Sequence, residues 1–372
     1  MHFNTKLVIN ANREANEAGD VVNPIHISTT YEQRFQKELR YFYGRGENPT
    51  REHLEKTLAS LEDAKFGLCF SSGQAAGAAI GSLLVPGDII VSSSDIYGGT
   101  HLLFKEFKQR GIDVKLSPLT SPTSVRRLLE QRVKVVWLET PTNPLLEVSD
   151  IHEISTICKE KGILLVVDNT LAGPVVQKPI HLGADISLYS TTKSIAGHCD
   201  VIGGALILNN EAVHQRLFEY RTATGGIPSP FDCYLIQRGL KTMAVRVERE
   251  VETATKIVHF LETHPRVEKV IFPSTHNGIQ KEIVRKQMAF PGSIVSFYYE
   301  GNVERFLDKL RIFTVAVSLG GANSLIECPA KMTHRPVPEA HRKQLGITDN
   351  LIRISVGLED FRDLMGDLDA AL

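Results

Sequence analysis

Disulfides, a strong net charge and long apolar runs are all missing from this sequence. Its 5 cysteines are scattered, odd in number and without a Cys-x-x-Cys pair, so we expect reduced thiols, most of them in the core. Lysine and arginine total 42 against 43 for aspartate and glutamate. This balance lacks the charge signature of nucleic-acid binding or of binding to an acidic membrane. We therefore expect neither nucleic acid nor membrane as a partner.

The sequence also lacks segments for export, membrane insertion and metal binding. No stretch approaches the apolar length needed to span a bilayer. Residues 1–20 mix polar and charged side chains without the apolar centre of a signal peptide, and we expect a cytoplasmic protein. No Cys/His cluster has metal-ligand spacing. His198 is the nearest candidate, and a hydrogen-bonded structural histidine is the better interpretation, so no metal site is predicted.

A regular alternation of apolar strands and helices fills most of the chain. Strands such as Val133 to Leu138 and Ile163 to Val167 are apolar throughout and are separated by helical patterns. Strands of this kind indicate a mainly parallel sheet covered on both faces. Ser124 to Gln131 is one predicted helix, with Ser121 or Thr123 as its cap.

Three regions follow from changes in this pattern. Residues 1–47 have weak periodicity and several turn formers, and we expect an arm that reaches a neighbouring subunit. Residues 48–245 form the predicted large domain, which begins with a helix capped by Thr50. Residues 246–372 form the predicted smaller α+β domain, and a long helix pattern leads into it.

The most informative stretch is the strand and turn Ser187 to Lys193. One lysine follows hydroxyl residues at positions 190 and 192, which suits an imine with an aldehyde whose phosphate the hydroxyls bind. The neighbouring strand ends in Asp168, which is placed to pair with a protonated ring nitrogen. Pyridoxal 5′-phosphate (PLP) needs both contacts. A solvated lysine and a capping aspartate are the ordinary alternatives, and the order of the two motifs favours the cofactor.

Other candidates lie where predicted strands end, which is where sites gather on open α/β sheets. Gly73 and Gln74 open a helix whose free amides and dipole suit a phosphate. Tyr97 presents a ring that would stack on a planar cofactor, and Asn143 lies in a proline-rich turn that aims an amide at a ring hydroxyl. Away from the strand ends, Tyr43 and Arg45 in the arm form a phenol and guanidinium pair suited to phosphate.

The motifs YGRGENPT, SSGQAA, DIYGGT, ETPTNP, VVDNT, YSTTK, VSLGGANSL, PAKMTH and ISVGLED occur in this order. Together they resemble the Cys/Met-metabolism PLP enzyme family, which includes cystathionine γ-synthase, cystathionine γ- and β-lyases, methionine γ-lyase and the homoserine sulfhydrylases. The resemblance covers nearly the whole chain. It implies an α/β, aspartate-aminotransferase-like (fold type I) architecture with a large seven-stranded sheet domain and a smaller C-terminal domain. It also implies a homotetramer built of catalytic dimers.

The resemblance assigns a role to each candidate. Lys193 matches the lysine that holds PLP and acts as the base, Asp168 the partner of the ring nitrogen, and Tyr97 the stacking residue. The residues that match phosphate ligands are Gly73, Gln74, Ser190 and Thr192 within the chain, and Tyr43 and Arg45 supplied across the dimer. The residues that match substrate contacts are Arg353, which clamps the α-carboxylate, Ser318 and Asn143.

Two positions depart from the pattern of cystathionine-handling members. Phe42 and Val317 stand where acidic residues are frequent, and apolar side chains cannot hold the distal ammonium of cystathionine. The alternative is that both simply pack and the distal amine is met elsewhere. The pair is closer to methionine γ-lyases, but Gly99 occupies the position where those enzymes usually carry cysteine.

Three functions remain open on the sequence alone. The leading hypothesis is a carbon–sulfur lyase performing γ-elimination on methionine, homocysteine or cystathionine-like substrates. The second is a γ-replacement transferase of the cystathionine γ-synthase or O-acylhomoserine sulfhydrylase type, which would use the same residues. The third is a non-catalytic regulator on the same scaffold, and the intact Lys193, Asp168 and Arg353 argue against it.

Overall fold

A computed structural model describes residues 1–9, 19–35 and 40–372, and a seven-stranded sheet organises the first two thirds of this chain. Its strands run in the order β1-β7-β6-β5-β4-β2-β3. β7 is antiparallel to both of its neighbours, and the other pairs are parallel. The predicted mainly parallel sheet is therefore confirmed. The strands are β1 Phe66–Phe70, β2 Ile89–Ser93, β3 Asp113–Ser117, β4 Val133–Glu139, β5 Leu164–Asp168, β6 Ile186–Tyr189 and β7 Gly204–Leu208.

Helices cover both faces of this sheet, which explains why its central strands are apolar throughout. On β4, Val135 and Trp137 belong to one hydrophobic core, while Val136 and Leu138 belong to another. Side chains alternate between the faces of a strand, so a strand buried on both faces is mostly apolar on each of them. The helices are α1 Phe3–Ile9, α2 Pro49–Leu61, α3 Gly73–Ile80, α4 Gly98–Gln109, α5 Pro122–Leu128, α6 Ile151–Lys161, α7 Gly173–Val176, α8 Glu211–Thr224 and α9 Pro230–Leu240.

A second, five-stranded sheet with order β10-β11-β12-β9-β8 occupies the rest of the chain. Most of its pairs are antiparallel, and only β10 and β11 run parallel. This arrangement agrees with the predicted α+β character. The elements are α10 Met243–Thr263, β8 Val267–Ile271, α11 Gly278–Gln287, β9 Ile294–Tyr299, α12 Val303–Lys309, β10 Thr314–Val315, β11 Leu325–Glu327, α13 Glu339–Leu345, β12 Leu351–Ser355 and α14 Phe361–Ala371.

The long helix α10 joins the two regions. Met243 and Val247 near its start pack in the core that contains α2 and α9. Ala254 and Ile257 further along pack in the core of the second sheet. The domain boundary that we placed near residue 245 falls inside the first turn of this helix, and the division at that residue remains a prediction.

Two helix starts differ from the prediction. The cap of α2 is Asn48, whose side chain accepts hydrogen bonds from the N–H groups of Thr50 and Arg51. The Thr50 hydroxyl instead accepts a hydrogen bond from the N–H of His26, at 2.8 Å. α5 begins at Pro122, because proline is favoured in a first helical turn. Ser121 occupies its cap position without a side-chain hydrogen bond.

Part of the N-terminal arm packs on its own chain, which the sequence did not lead us to expect. In α1, Leu7 is buried against α2, and Lys6 Nζ donates to the carbonyl of Ser60 at 2.8 Å. Further along, Val21 and Ile27 are largely exposed. Residues 10–18 and 36–39 of the predicted arm lie outside the described residues.

The described residues can be examined for free cysteines, metal-ligating groups and long apolar helices. Four cysteines are buried and free, and Cys199 is free and exposed. Within the described ranges, no group of three or more metal-ligating side chains comes together, and Nδ1 of His198 lies 2.6 Å from the carbonyl oxygen of Ala196. None of the described helices has the length and hydropathy of a membrane span.

Asn48 provides a test of the corrected helix start. Asn48→Ala removes the acceptor for two N–H groups and the donor to the carbonyl of His26. We expect a decrease of about 1–2 kcal/mol in the free energy of unfolding measured in urea. Asn48→Asp keeps the acceptor and should lose less. A larger loss for Asn48→Asp than for Asn48→Ala would contradict the assignment.

Candidate active site

The ends of the parallel strands surround a cavity of about 290 Å³. Asp168 is the last residue of β5, and Ser190 immediately follows β6. Strands of the second region close the cavity from the other side. Eleven residues predicted from the sequence line it together: Gly73, Gln74, Tyr97, Asn143, Asp168, Ser190, Thr192, Lys193, Val317, Ser318 and Arg353.

One end of the cavity is built from a helix start and two hydroxyl residues. Gly73 opens α3, where backbone N–H groups have no partner within the helix. A Cβ atom at this position would lie 3.0 Å from Cβ of Ser190, so glycine keeps the space beside the helix start open. The Thr192 hydroxyl accepts a hydrogen bond from the N–H of Gly203 at 3.0 Å. These groups form a pocket with the polarity and shape that a phosphate requires.

A buried carboxylate lies at the centre of the cavity. Asp168 accepts a hydrogen bond from the N–H of Thr170 at 3.1 Å, and burial raises the pKa of its carboxyl above the usual value. Glu139 is its register partner on β4 and is also buried. A cationic group beside Asp168 would favour its ionised form. The site therefore suits a protonated ring nitrogen.

Tyr97 stands at the start of α4 and is held there through its backbone. Its N–H donates to Glu139 Oε2 at 3.0 Å, and its side chain is 42 % exposed in the single chain. Gly99 gives the ring room, since a Cβ atom there would lie 2.4 Å from a ring carbon of Tyr97. The ring is therefore free to face a planar molecule in the cavity.

Asn143 presents its amide in a defined orientation. Its Oδ1 accepts a hydrogen bond from Arg353 Nη1 at 2.8 Å. An arginine only donates, so the hydrogen-bond network assigns this atom as the oxygen. The amide nitrogen is left to donate elsewhere. It suits a ring hydroxyl or a carboxylate oxygen.

Lys193 and Arg353 are both in contact with Ser318. Lys193 Nζ donates to the Ser318 hydroxyl at 2.6 Å, and Arg353 Nη2 donates to the Ser318 carbonyl at 2.7 Å. Ser318 has a φ of 92°, in the region that disfavours side chains other than glycine. Burial and the positive charge of Arg353 lower the pKa of Lys193 to about 8. The amine is thereby neutral just above physiological pH.

Tyr43, Arg45 and Phe42 do not reach this cavity from their own chain. Tyr43 and Arg45 line a separate cavity with Gly225 and Ile227, and the Arg45 guanidinium lies 5.5 Å from the Tyr43 ring centre. Phe42 is 72 % exposed. The single chain therefore brings together the other predicted residues but not these three.

Several cavity residues were not among the predicted site residues, and three of them are polar residues of motifs named above. Glu139, Thr170 and Thr333 line the cavity, and each belongs to a motif that the sequence displays: ETPTNP, VVDNT and PAKMTH. Glu139 is the last residue of its strand. This position was a signal for it, because polar residues at strand ends face the site on a parallel sheet.

The lining fits PLP in its chemistry. A helix start and hydroxyls suit the phosphate, a buried carboxylate suits the ring nitrogen, an amide suits the ring hydroxyl, and a lysine of lowered pKa suits the aldehyde. The crowding beside Gly73 shows that the phosphate end is kept open by the absence of a side chain. Lys193, Asp168 and Asn143 would hold the aldehyde side, the nitrogen and the hydroxyl of this cofactor.

The lowered pKa of Lys193 is testable on the cofactor-free protein. Only the neutral amine attacks an aldehyde, so reductive labelling of Lys193 by benzaldehyde should rise with pH to a midpoint near 8, against about 10.4 for an ordinary lysine. Labelling is measured by peptide mass spectrometry. Ser318→Ala and Ser318→Gly both remove the acceptor of the ammonium form, and both should move the midpoint lower. An unshifted midpoint in both variants would contradict the contact.

Comparison with known proteins identifies the family of this chain. The family model described as Cys/Met metabolism PLP-dependent enzyme matches residues 4–372. CalE6 of Micromonospora echinospora, described as a cystathionine gamma lyase, is 52% identical, with a TM-score of 0.97 and coverage of 100% of this chain and 99% of that one. Its apo form, described as a methionine gamma lyase, is 51% identical over 100% and 99% of the two chains, with a TM-score of 0.95.

Two further relatives span the range of reactions. Cystathionine gamma-lyase of Bos taurus is 43% identical over 100% of this chain and 93% of its own. A cystathionine gamma synthase of Xanthomonas oryzae is 38% identical, with a TM-score of 0.95 and coverage of 100% and 97% of the two chains. The predicted family is confirmed: this chain belongs to the Cys/Met-metabolism PLP-dependent enzymes.

Proposed function

We propose that this enzyme is a PLP-dependent carbon–sulfur lyase that performs γ-elimination on methionine, homocysteine or cystathionine-like substrates. The products would be a 2-oxo acid, ammonia and a thiol. The observation that carries the proposal is the contact of Ser318 with both Lys193 and Arg353, which fixes a base relative to a carboxylate-binding cation. The lyase names of the relatives CalE6 and the Bos taurus enzyme support the same reaction class.

Different residues of the chain carry out separate parts of the elimination. PLP, when bound, supplies an electron-accepting pyridinium ring to the amino-acid substrate. Arg353 binds the α-carboxylate and orients the Cα–H bond. Lys193 takes the Cα proton on Nζ, because its lowered pKa leaves the amine neutral near pH 8. Asp168 keeps a positive charge on the ring nitrogen.

Expulsion of the sulfur group needs two further proton movements. In γ-elimination the same lysine also removes a proton from Cβ of the substrate. Lys193 is thus the base for both Cα and Cβ. The Tyr97 hydroxyl is the acid that we assign to the leaving sulfur, since Tyr97 lines the cavity and remains partly exposed. The sulfur then leaves as a thiol.

The mouth of the cavity favours an uncharged substrate tail. Val317 lines the cavity and is 53 % exposed, and Ile202 lines it and is 66 % exposed. Apolar side chains do not compensate the burial of a second ammonium group. We therefore place methionine and homocysteine ahead of cystathionine as substrates. Phe42 joins this wall if the neighbouring subunit supplies it.

We also propose a cytoplasmic homotetramer made of catalytic dimers, with Tyr43 and Arg45 binding the phosphate of the neighbouring site. Both residues line a cavity separate from that of Lys193. Their loop is held firmly, since Arg51 Nη2 donates to the carbonyls of Gly44, Arg45 and Gly46 at 3.1, 3.3 and 2.7 Å. A rigid, exposed loop of this kind suits a contact with another chain.

A γ-replacement transferase is the second candidate. It would use the same base and carboxylate clamp, and the likeness to a cystathionine gamma synthase supports it. The two reactions differ in whether a thiol or water completes the turnover, and the lining residues serve both.

A substrate panel separates these candidates. We expect oxo acid and ammonia from methionine and homocysteine, and also from O-acetylhomoserine whether or not cysteine or sulfide is added. Oxo acid is measured with a coupled dehydrogenase. Release of oxo acid only from acylhomoserines, with conversion to a thioether once a thiol is present, would instead identify a transferase.

Replacement of the base tests the role of Lys193. Lys193→Ala should lower turnover by at least about 10²-fold, because a proton-transferring group is worth roughly 10²–10⁴-fold. The melting temperature of the cofactor-free protein should change little. Lys241→Ala, at an ordinary lysine of the α9 cap, is the matched control. Turnover of Lys193→Ala close to that of the control would refute the assignment.

A mixing experiment tests the shared site. Arg45→Ala should weaken PLP binding, with a rise in Kd of roughly tenfold or more, the loss typical of a hydrogen bond to a charged group. Arg45→Ala and Lys193→Ala chains, unfolded and reassembled together, should regain activity because some sites then receive an intact Arg45 and an intact Lys193. Reassembly without any gain would contradict phosphate binding across the dimer.

A further inference from the structure

A buried ion pair lies behind the carboxylate-binding side of the cavity. Glu327 on β11 and Arg353 on β12 are register partners on antiparallel strands. Both residues are buried, and Arg353 Nη1 lies 2.9 Å from Glu327 Oε1. Glu327 is not among the cavity-lining residues, so any effect it has on the substrate passes through the arginine.

The hydrogen bonds of Arg353 leave one edge of its guanidinium open. Nη1 donates to Asn143 Oδ1 at 2.8 Å and pairs with Glu327, which uses both of its hydrogens. Nη2 donates once, to the Ser318 carbonyl, and Nε has no partner among the described residues. A bidentate carboxylate needs two adjacent N–H groups. The edge formed by Nε and Nη2 is the one with donors left.

Thr333 contacts Glu327 directly, and His334 contacts the backbone of Asn143, which is itself a partner of Arg353. The Thr333 hydroxyl donates to the same Glu327 Oε1 at 2.7 Å. His334 Nε2 lies 2.8 Å from the carbonyl oxygen of Asn143, and this nitrogen must carry the hydrogen because a carbonyl only accepts. Burial and Arg353 lower the pKa of His334 to about 4, so the ring is neutral. Glu327 is thus the one anionic partner in this contact group.

We propose that Glu327 is a positioning and affinity-tuning residue: it directs an incoming α-carboxylate to the Nε–Nη2 edge of Arg353 and moderates the affinity for that carboxylate. The inference rests on the proposed function, in which Arg353 binds the substrate carboxylate. When the substrate binds, Glu327 and the substrate carboxylate lie at two edges of the same guanidinium. Their negative charges repel each other. In return, Glu327 stabilises the buried guanidinium while the site is empty.

Glu327→Gln separates charge from shape. The amide oxygen still accepts from Nη1, but the negative charge is gone. In the PLP-loaded enzyme we expect L-norleucine, which has no leaving group, to bind roughly tenfold tighter. n-Pentylamine, which is norleucine without the carboxylate, should keep its Kd within about twofold. Both are measured from the change in cofactor absorbance, and the melting temperature of the ligand-free variant should fall.

A second pair of variants guards against misfolding of the first. Thr333→Val removes the hydroxyl that shares Glu327 Oε1, leaves Glu327 more strongly paired with Arg353, and should weaken norleucine binding a few fold. Thr333→Ser retains the hydroxyl and is its control. The two substitutions at positions 327 and 333 therefore move the norleucine Kd in opposite directions.

Three results would overturn the proposal: weaker norleucine binding in Glu327→Gln, equal changes for norleucine and pentylamine, or equal norleucine Kd in Thr333→Val and Thr333→Ser. Each would show that Glu327 only supports the fold or does not act on the carboxylate. The lyase assignment is tested separately. It would fail if the wild-type enzyme bound norleucine and pentylamine but released no oxo acid from its proposed substrates.

Discussion

Ser318 contacts two cations that lie in one buried cavity, Lys193 through its hydroxyl and Arg353 through its carbonyl. The charge of Arg353 and the burial of Lys193 lower the pKa of the lysine to about 8. Arg353 itself keeps its charge because Glu327 and Asn143 accept its hydrogen bonds. A neutral Lys193 beside a charged Arg353 suits removal of the proton on the carbon next to a bound carboxylate. Ser318 makes its contacts with Lys193 and Arg353 from a strained backbone conformation with positive φ.

The sheet brings the remaining groups to the same place. Asp168 and Glu139 end neighbouring parallel strands in register. Burial, and then the charge of Asp168, raise the pKa of Glu139 well above its usual value. The raised pKa of Glu139 makes Asp168 the better candidate to pair with a cationic ring. Gly73 and Gly99 contribute by having no side chain, since a Cβ atom would crowd Ser190 at the first and the Tyr97 ring at the second.

The sequence was most informative where one element carries both a pattern and a functional residue. Apolar strands with polar ends predicted the parallel sheet and placed Asp168 and Lys193 at its edge. Asn48 was missed as a cap because Thr50 also fits that role, and only the contact of Thr50 with the N–H of His26 separates them. Glu327 was missed for a different reason. Its partner, Arg353, is 26 residues further along the chain, and the sequence pattern does not show that their two strands pair. A single glutamate in a short strand also gives no indication of a functional role.

Reductive trapping tests most directly whether PLP is attached covalently to Lys193. The PLP-loaded protein is treated with borohydride, digested and analysed by mass spectrometry. We predict a single phosphopyridoxyl group, on the peptide that contains Lys193. A group on another lysine, or none on a protein that retains the cofactor, would contradict the account.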